Sequence, residues 1–501
     1  MAKHRGGAAM RAWASDAALT GVSAEGRLAV AAALPGFLLV GVGVVLQPYV
    51  TIMILAAPLL LAVVASAKIR VTAIVLGGLL ALESSQSLDY PKLAYLTVVV
   101  VAVAASLPGL LHRLPRLTAG EKWLLRAAVS LSVLAVISSL ASSMSRVTPD
   151  AWFRDVTPYL LMAAFPIVAV DAGARIGRRY TQSLLYVAGS LAALSLTVSW
   201  VSRRGFTDLP LDRFLFPSTA LAAALLCLAA GHYFVSRVNR ARDVAVIGVI
   251  LALALTTGSR TNLLLLLPLP VIAAVSSGRL RLPRLGLLVA GGAVTTAVLI
   301  PVVASVAGFD VSRVVDRIGG LVTLLADPNL DQSYSARLSQ NAATWSLFQS
   351  SPLIGTGPGT LIPWVTISNG AVTTSWNSDA PTAFLSKFGL VGLGLLGATI
   401  WCLFAAAMSP RKAWRTDVPS LALVGLLTLL TASMAIGSAV EDKGYAFGLL
   451  LLFGAKLAGP VSAIEVARSG HAWPRGPAPP VIARPAARPL RTQSAQLWGE
   501  E

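Results

Sequence analysis

Apolar runs of close to twenty residues recur from Leu28 to Pro460, separated by short segments that hold most of the arginines. A hydrocarbon core about 30 Å thick is crossed by about 20 apolar residues in an α-helix. Lipid offers no partner to backbone N–H and C=O groups, so such runs have to satisfy their own backbone as helices. The pattern predicts an all-α fold, a polytopic transmembrane helix bundle of about 12–14 spans. The spans fall near 28–47, 50–67, 70–84, 93–111, 124–143, 156–171, 181–201, 217–236, 243–258, 261–276, 286–308, 383–408, 418–437 and 443–460. Two are weak: 70–84 is short, and 261–276 contains Pro268 and Pro270. Only 12% of the residues are charged, roughly half the share in a soluble domain. That leaves no room for a large soluble domain.

The net charge of +18 is distributed as a membrane protein distributes it. With an inside N-terminus and strict alternation, about two-thirds of the basic residues fall in inside segments and acidic residues favour the outside. Lys68, Arg70, Arg113, Arg175, Arg178, Arg240, Arg242, Arg284 and Arg411 are among the inside set. Both termini are then cytoplasmic. No stretch interleaves aromatics with a basic face, so nucleic acid is not an expected partner. Cys227 and Cys402 lie in apolar runs and form neither a disulfide framework nor a zinc spacing. Residues 1–25 are polar, small and basic, which predicts a cytoplasmic tail followed by a retained first anchor. Residues 26–460 form the expected integral membrane domain. Residues 461–501, rich in Pro, Ala and Arg, are an expected disordered cytoplasmic tail that touches anionic lipid.

Two outside segments exceed a tight turn. One covers 202–216, and the other, 309–382, is long enough to fold on its own. Loops of that length are commonly functional. Within it, VSRVVDRIGGLVTLLA has helical spacing and could lie on the membrane surface, SARLSQNAATWSLFQSS reads as a helix ended by Pro352, and GTGPGT reads as a tight turn.

Four outside features could carry chemistry. Arg213 stands in LDRFLFPSTALAAAL at the mouth of a span, and Arg260 stands in TTGSRTNLLLLLPL between two apolar runs. Charges so close to lipid are costly and are kept for a partner or a function, unless they merely snorkel to headgroups. Arg337 precedes Trp345 and Phe348 on a helical stretch that could equally be a packed amphipathic surface. Ser378 and Asp379 stand just before a span, where Asp379 could also be an N-cap ahead of Pro381.

Together these features resemble the O-antigen ligase and O-antigen polymerase-like membrane proteins, over roughly residues 200–400. The similarity rests on RFLFPSTALA at a helix start, Gly258-Ser259-Arg260-Thr261 after a span, and Arg337 and Trp345 followed by SPLIGTGPGT in the large loop. It ends with Gly389-Leu390-Val391-Gly392 at the next helix. One departure stands out: ligases of this kind carry a His in the polar motif before that last helix, where this chain has Ser378 and Asp379. The four histidines, His4, His112, His232 and His471, all fall on the cytoplasmic side of the predicted topology.

The resemblance implies a GT-C-like glycosyltransferase of a bacterial plasma membrane. It would move a glycan from an undecaprenyl-pyrophosphate carrier to an acceptor hydroxyl at the outer face. Partners are then the lipid-linked glycan donor, a glycan or lipid acceptor, membrane lipids and polysaccharide-assembly proteins. Arg213, Arg260 and Arg337 would bind the pyrophosphate and stabilise its departure, with Ser378 in the substrate site. Either Asp379 takes the role of the missing His as acceptor base, or the chemistry departs from the ligase pattern. No metal and no cofactor is expected. Ligase and polymerase share a donor and differ in acceptor. A secondary transporter of a small anion or glycolipid-related substrate is the alternative, with the arginines as an anion site.

Overall fold

The computed structural model describes residues 48–82, 90–203, 218–236, 240–256, 265–278, 282–307, 332–366, 370–374, 382–410, 413–436 and 442–458. Among these residues the chain forms fourteen α-helices and one two-stranded sheet. The helices are α1 (Pro48–Ala65), α2 (Ala67–Ala81), α3 (Tyr90–Arg113), α4 (Ala119–Met144), α5 (Pro149–Arg175), α6 (Arg178–Arg203) and α7 (Thr219–Val235). They continue with α8 (Arg240–Thr256), α9 (Leu269–Ser276), α10 (Leu282–Ala307), α11 (Gln332–Ser350), α12 (Thr382–Ala407), α13 (Val418–Ile436) and α14 (Gly444–Leu457). Strands β1 (Ile362–Thr366) and β2 (Gly370–Thr374) pair antiparallel, with Trp364 opposite Val372. All the described residues belong to one compact unit that runs to Pro460.

Helix boundaries follow the apolar periodicity closely, because caps and turns coincide with its breaks. Thr118 and Glu121 form a reciprocal capping box at the start of α4. Ser218 caps α7, its hydroxyl accepting from Leu221 N–H at 3.0 Å. Among the described residues, six segments are long and apolar enough to cross a membrane: Tyr90–Arg116, Ala119–Met144, Pro149–Arg175, Arg178–Val198, Leu282–Leu299 and Thr382–Ala407. Three shorter apolar helices, Thr219–Val235, Val418–Met434 and Gly444–Leu457, accompany them. The chain is thus a polytopic helical membrane protein.

Among the described residues, fewer helices reach spanning length than the sequence predicts. In the weak run at 261–276, Leu265 and Leu266 are helical, Leu267 and Pro268 form a turn, and a helix of eight residues, Leu269–Ser276, follows with Pro270 in its first turn. A proline inside a helix removes a hydrogen bond and clashes with the preceding turn, so the run is interrupted there. α2 has 15 residues and α8 has 17. The predicted span 28–47, both tails and the predicted surface helix at 311–326 lie outside the described residues.

α7 is the centre of the bundle. Every residue from Ala220 to Phe234 except His232 is buried, and α6, α8, α9, α13 and α14 all pack on it. A helix apolar and buried all round is an interior element. Its alanines let neighbours approach closely, as small residues do between membrane helices. α10 is the opposite case: Leu287, Val289, Val294 and Val298 are all more than 60% exposed, the surface expected to meet lipid.

Polar contacts segregate to two ends. At one end Arg178 pairs with Asp417 at 2.9 Å, Arg113 pairs with Glu121 at 2.9 Å, and Lys456 Nζ donates to Ala407 O at 2.8 Å. At the other, Ser218 and the turn after α4 meet segments that follow α13 and α11. Alternate connections therefore share an end, as the alternating register requires. One inside-set arginine is no loop marker, however. Arg70 is 1% exposed, ion-paired with Asp171, and donates to Val63 O at 3.1 Å and Val64 O at 3.0 Å. It satisfies the last carbonyls of α1 from within the bundle.

Candidate functional site

The most elaborate polar structure among the described residues lies where the Gly355–Thr360 turn meets α12. Gly355, Gly357 and Gly359 have φ of +72°, +92° and +82°, the left-handed half of backbone space that side chains disfavour. Each also touches backbone. A Cβ on Gly355 would stand 2.4 Å from Lys387 C, one on Gly357 2.4 Å from Ser142 N, and one on Gly359 2.5 Å from Trp152 N. Only glycine lets the turn seat this deeply between α4, α5 and α12.

α12 is broken to receive it. Gly389 has φ +63° and ψ −168° inside an otherwise helical run. The break frees the carbonyls of Ser386 and Lys387, which accept from Thr356 N–H at 2.8 Å and Gly357 N–H at 3.0 Å. On its far side, Leu390 N–H donates to Pro352 O at 2.9 Å and Val391 N–H to Leu353 O at 3.0 Å. Irregular backbone at membrane depth survives only where protein satisfies it, and here the SPLIGTG segment does so. Phe384, Phe388 and Tyr159 pack together beneath, with ring centroids 4.7 Å and 4.8 Å apart.

This geometry yields a direct prediction. Gly389→Ala places a side chain in a glycine-only backbone region, at a cost of about 1–3 kcal/mol, with its Cβ 2.3 Å from Leu353 O. Gly394→Ala, whose Cβ meets nothing within 4 Å, is the control in the same helix. We expect the first to lower the yield of monodisperse protein and its thermal midpoint, and the second to match wild type. Equal behaviour of the two would contradict the break.

A buried ion cluster ties the turn to both helices. Asp155 on α5 pairs with Lys387 on α12 at 2.9 Å and with Arg154 at 2.9 Å, and it accepts from Gly359 N–H at 2.8 Å. Its side chain is fully buried and that of Lys387 is 2% exposed. With this many donors aimed at it, the carboxylate organises the turn and has no lone pair free for base chemistry. Ser142 Oγ donates to Pro358 O at 2.9 Å and Ser145 Oγ to Thr356 O at 2.7 Å.

α11 brings Arg337 to this end. Arg337, Asn341 and Thr344 share one face of the helix. Thr344 is fully buried against Thr382, and Thr382 Oγ1 donates to Asn341 Oδ1 at 3.0 Å. That face therefore packs on the first turn of α12. Arg337 is partly buried, and its Nε has no hydrogen-bond partner among the described residues. Trp345 is 46% exposed and meets Phe348 at 5.1 Å. Of the predicted site residues only Arg337 is described. Arg213, Arg260, Ser378 and Asp379 lie outside the described residues, Asp379 three positions before Thr382 in sequence.

Sequence reasoning passed over Asp155, Lys387 and Asp442. Asp442, between α13 and α14, accepts from Ser218 Oγ at 2.7 Å, Ala220 N–H at 2.9 Å and Gly444 N–H at 2.8 Å. Burial holds its carboxyl above the usual carboxylate range, against the pull of those donors. The available signal was charge within apolar runs: FRDVTPYLLMAAF carries Arg154 and Asp155, and FLSKFGLVGLG carries Lys387. Among the described residues no three His, Cys, Asp or Glu side chains gather. No family model matches the chain, and no curated protein matches it.

Proposed function

We propose that this protein is a GT-C-like membrane glycosyltransferase of the O-antigen ligase/polymerase type. It transfers a glycan from a polyprenyl-pyrophosphate carrier to an acceptor hydroxyl outside a bacterial plasma membrane. The observation that carries this reading is Arg337. It is a partly buried arginine with an unpaired donor, on the helix that packs against the first turn of α12, close in sequence to Ser378 and Asp379. The glycine turn and broken helix add a rigid platform at the same end, the kind of support a catalytic constellation requires.

In this reading the acceptor oxygen attacks the anomeric carbon of the donor sugar. The bond from that carbon to the pyrophosphate oxygen breaks, and its electron pair leaves with the pyrophosphate. Asp379 takes the acceptor proton. Arg213, Arg260 and Arg337 meet the growing phosphate charge with guanidinium forks. Preorganised positive charge can replace a divalent ion in that task.

The test is transfer by purified protein in nanodiscs, with lipid-linked oligosaccharide extracted from the source organism and EDTA present throughout. We expect a lengthened or relocated glycan and released carrier pyrophosphate, at a rate unchanged by chelation. Loss of transfer in EDTA that divalent ions restore would overturn metal independence. No transfer with authentic donor and acceptor, together with substrate movement across sealed vesicles, would establish the transporter instead.

A further inference from the structure

The exposed side of α11 has the wrong chemistry for water. Arg337, Asn341 and Thr344 lie on the stripe that packs against α12. On the next stripe round the helix, Leu338, Ala342 and Trp345 have the same spacing and are exposed, with Gln349 the only polar member. A helix bordering on water turns its apolar residues inward and its polar ones out. Here the inward stripe is polar and the exposed one beside it is apolar. Ser346 and Ser350 stand further round and are also exposed, so polar surface bounds the apolar stripe on its far side.

The stripe runs on into surface that belongs to membrane spans. Leu390, Leu393 and Trp401 are exposed along one flank of α12. At the top of that flank Leu390 N–H donates to Pro352 O and Val391 N–H to Leu353 O, which seats the exposed Leu353 beside Leu390. α11 ends at Ser350, just before this bend. On the other side of the same turn stand Leu140 and Met144, exposed at the end of the α4 span. Depth agrees with this placement. α12 has 26 residues, about 39 Å of helix at about 1.5 Å per residue, which exceeds a hydrocarbon core of about 30 Å. Its first turn, where Thr382 meets α11, therefore stands at headgroup level.

We infer that this flank of α11 and the Pro352–Leu353 bend are seated in the bilayer leaflet at the loop end of the bundle. Leu353 reaches the acyl chains beside Leu390, and Trp345 lies in the headgroup layer, where an indole meets an apolar surface on one side and water on the other. The partner of the stripe is lipid, as for a helix lying in the plane of the interface. This seating is independent of any transfer chemistry. It also brings Arg337, one stripe away, to the layer in which a phosphate carried by a lipid diffuses.

Single cysteines bearing an environment-sensitive fluorophore test the seating in the full-length protein in nanodiscs, with Cys227 and Cys402, both buried, replaced by alanine. Leu338→Cys, Trp345→Cys and Leu353→Cys should lose fluorescence to nitroxide-bearing lipid as fully as Leu393→Cys on the flank of α12, and little to iodide in solution. Ser346→Cys should show the reverse. The unsubstituted protein supplies a second reading: a phospholipid with a diazirine high in its acyl chain should label the segment 338–353. Quenching of Trp345→Cys and Leu353→Cys by iodide instead of lipid would overturn the seating. Protection from both quenchers would overturn it too, because another protein surface would then cover the stripe. So would a segment 338–353 left unlabelled in protein whose α10 is labelled.

Discussion

Arg337→Ala should lower glycan transfer by about 10²–10³-fold, the loss that follows removal of one preorganised donor to developing negative charge, while the protein remains folded. The separation of activity from stability follows from the environment of the side chain. Arg337 Nε has no hydrogen-bond partner among the described residues, so truncation removes no bond made by that atom. The packing of α11 on α12 is carried by Asn341, Thr344 and Thr382, which the substitution leaves in place. An interaction made mainly as the pyrophosphate leaves lowers kcat and kcat/KM together. Arg337→Lys restores the charge without the fork and should recover only part of the rate. Full transfer by a folded Arg337→Ala protein would remove the arginine from the mechanism. A loss confined to KM would make it a binding group with no special hold on the transition state.

Much of the bundle was legible because lipid simplifies the code. A run of apolar residues has little choice but helix, and prolines, caps and basic clusters mark where it stops. α6, α12 and α13 accordingly start and end close to the apolar limits, whereas α4 and α5 begin earlier than theirs. Two kinds of feature were harder to read. The hairpin at Ile362–Thr374 was missed, although IPWVTISNGAVTT has β-branched residues on both sides of an Asn-Gly pair, a strong short-range hairpin signal. The expectation of an all-helical chain suppressed it. The break in α12 was hidden in a different way. Gly389-Leu390-Val391-Gly392 looks like an ordinary small-residue helix, and only the partner segment ending at Gly357 determines that the helix opens there.

The buried charges were hidden for a related reason. Asp155 and Lys387 are more than 230 positions apart in sequence, and each alone reads as a charge near a span end. Their meaning is pairwise. Of the site itself, the sequence supplied Arg337 and the glycine turn that the structure describes at one end of the bundle. It did not supply the cluster that holds the turn in place.

That cluster gives the largest expected effect on stability. Asp155→Asn removes the carboxylate that pairs with both Lys387 and Arg154, in a site where the aspartate side chain is fully buried and the lysine is 2% exposed. Removing one partner of a buried pair typically costs 3–5 kcal/mol because the other charge is left uncompensated. We expect a loss of about that size in the unfolding free energy measured by denaturant titration in mixed micelles. Arg154, 14% exposed, has more access to solvent than Lys387. Lys387→Met should cost less, because Asp155 keeps Arg154 and the Gly359 N–H. The double variant Asp155→Asn, Lys387→Met should then be more stable than Asp155→Asn alone, with a coupling of about 1–3 kcal/mol. Transfer should not recover with it, since Gly359 N–H exchanges a charged acceptor for at best a neutral amide oxygen and the turn is held less firmly to α5. Additive losses in the cycle would mean that the two side chains do not act as a pair. Restored stability together with restored transfer would mean that the turn needs no anchor to support the chemistry.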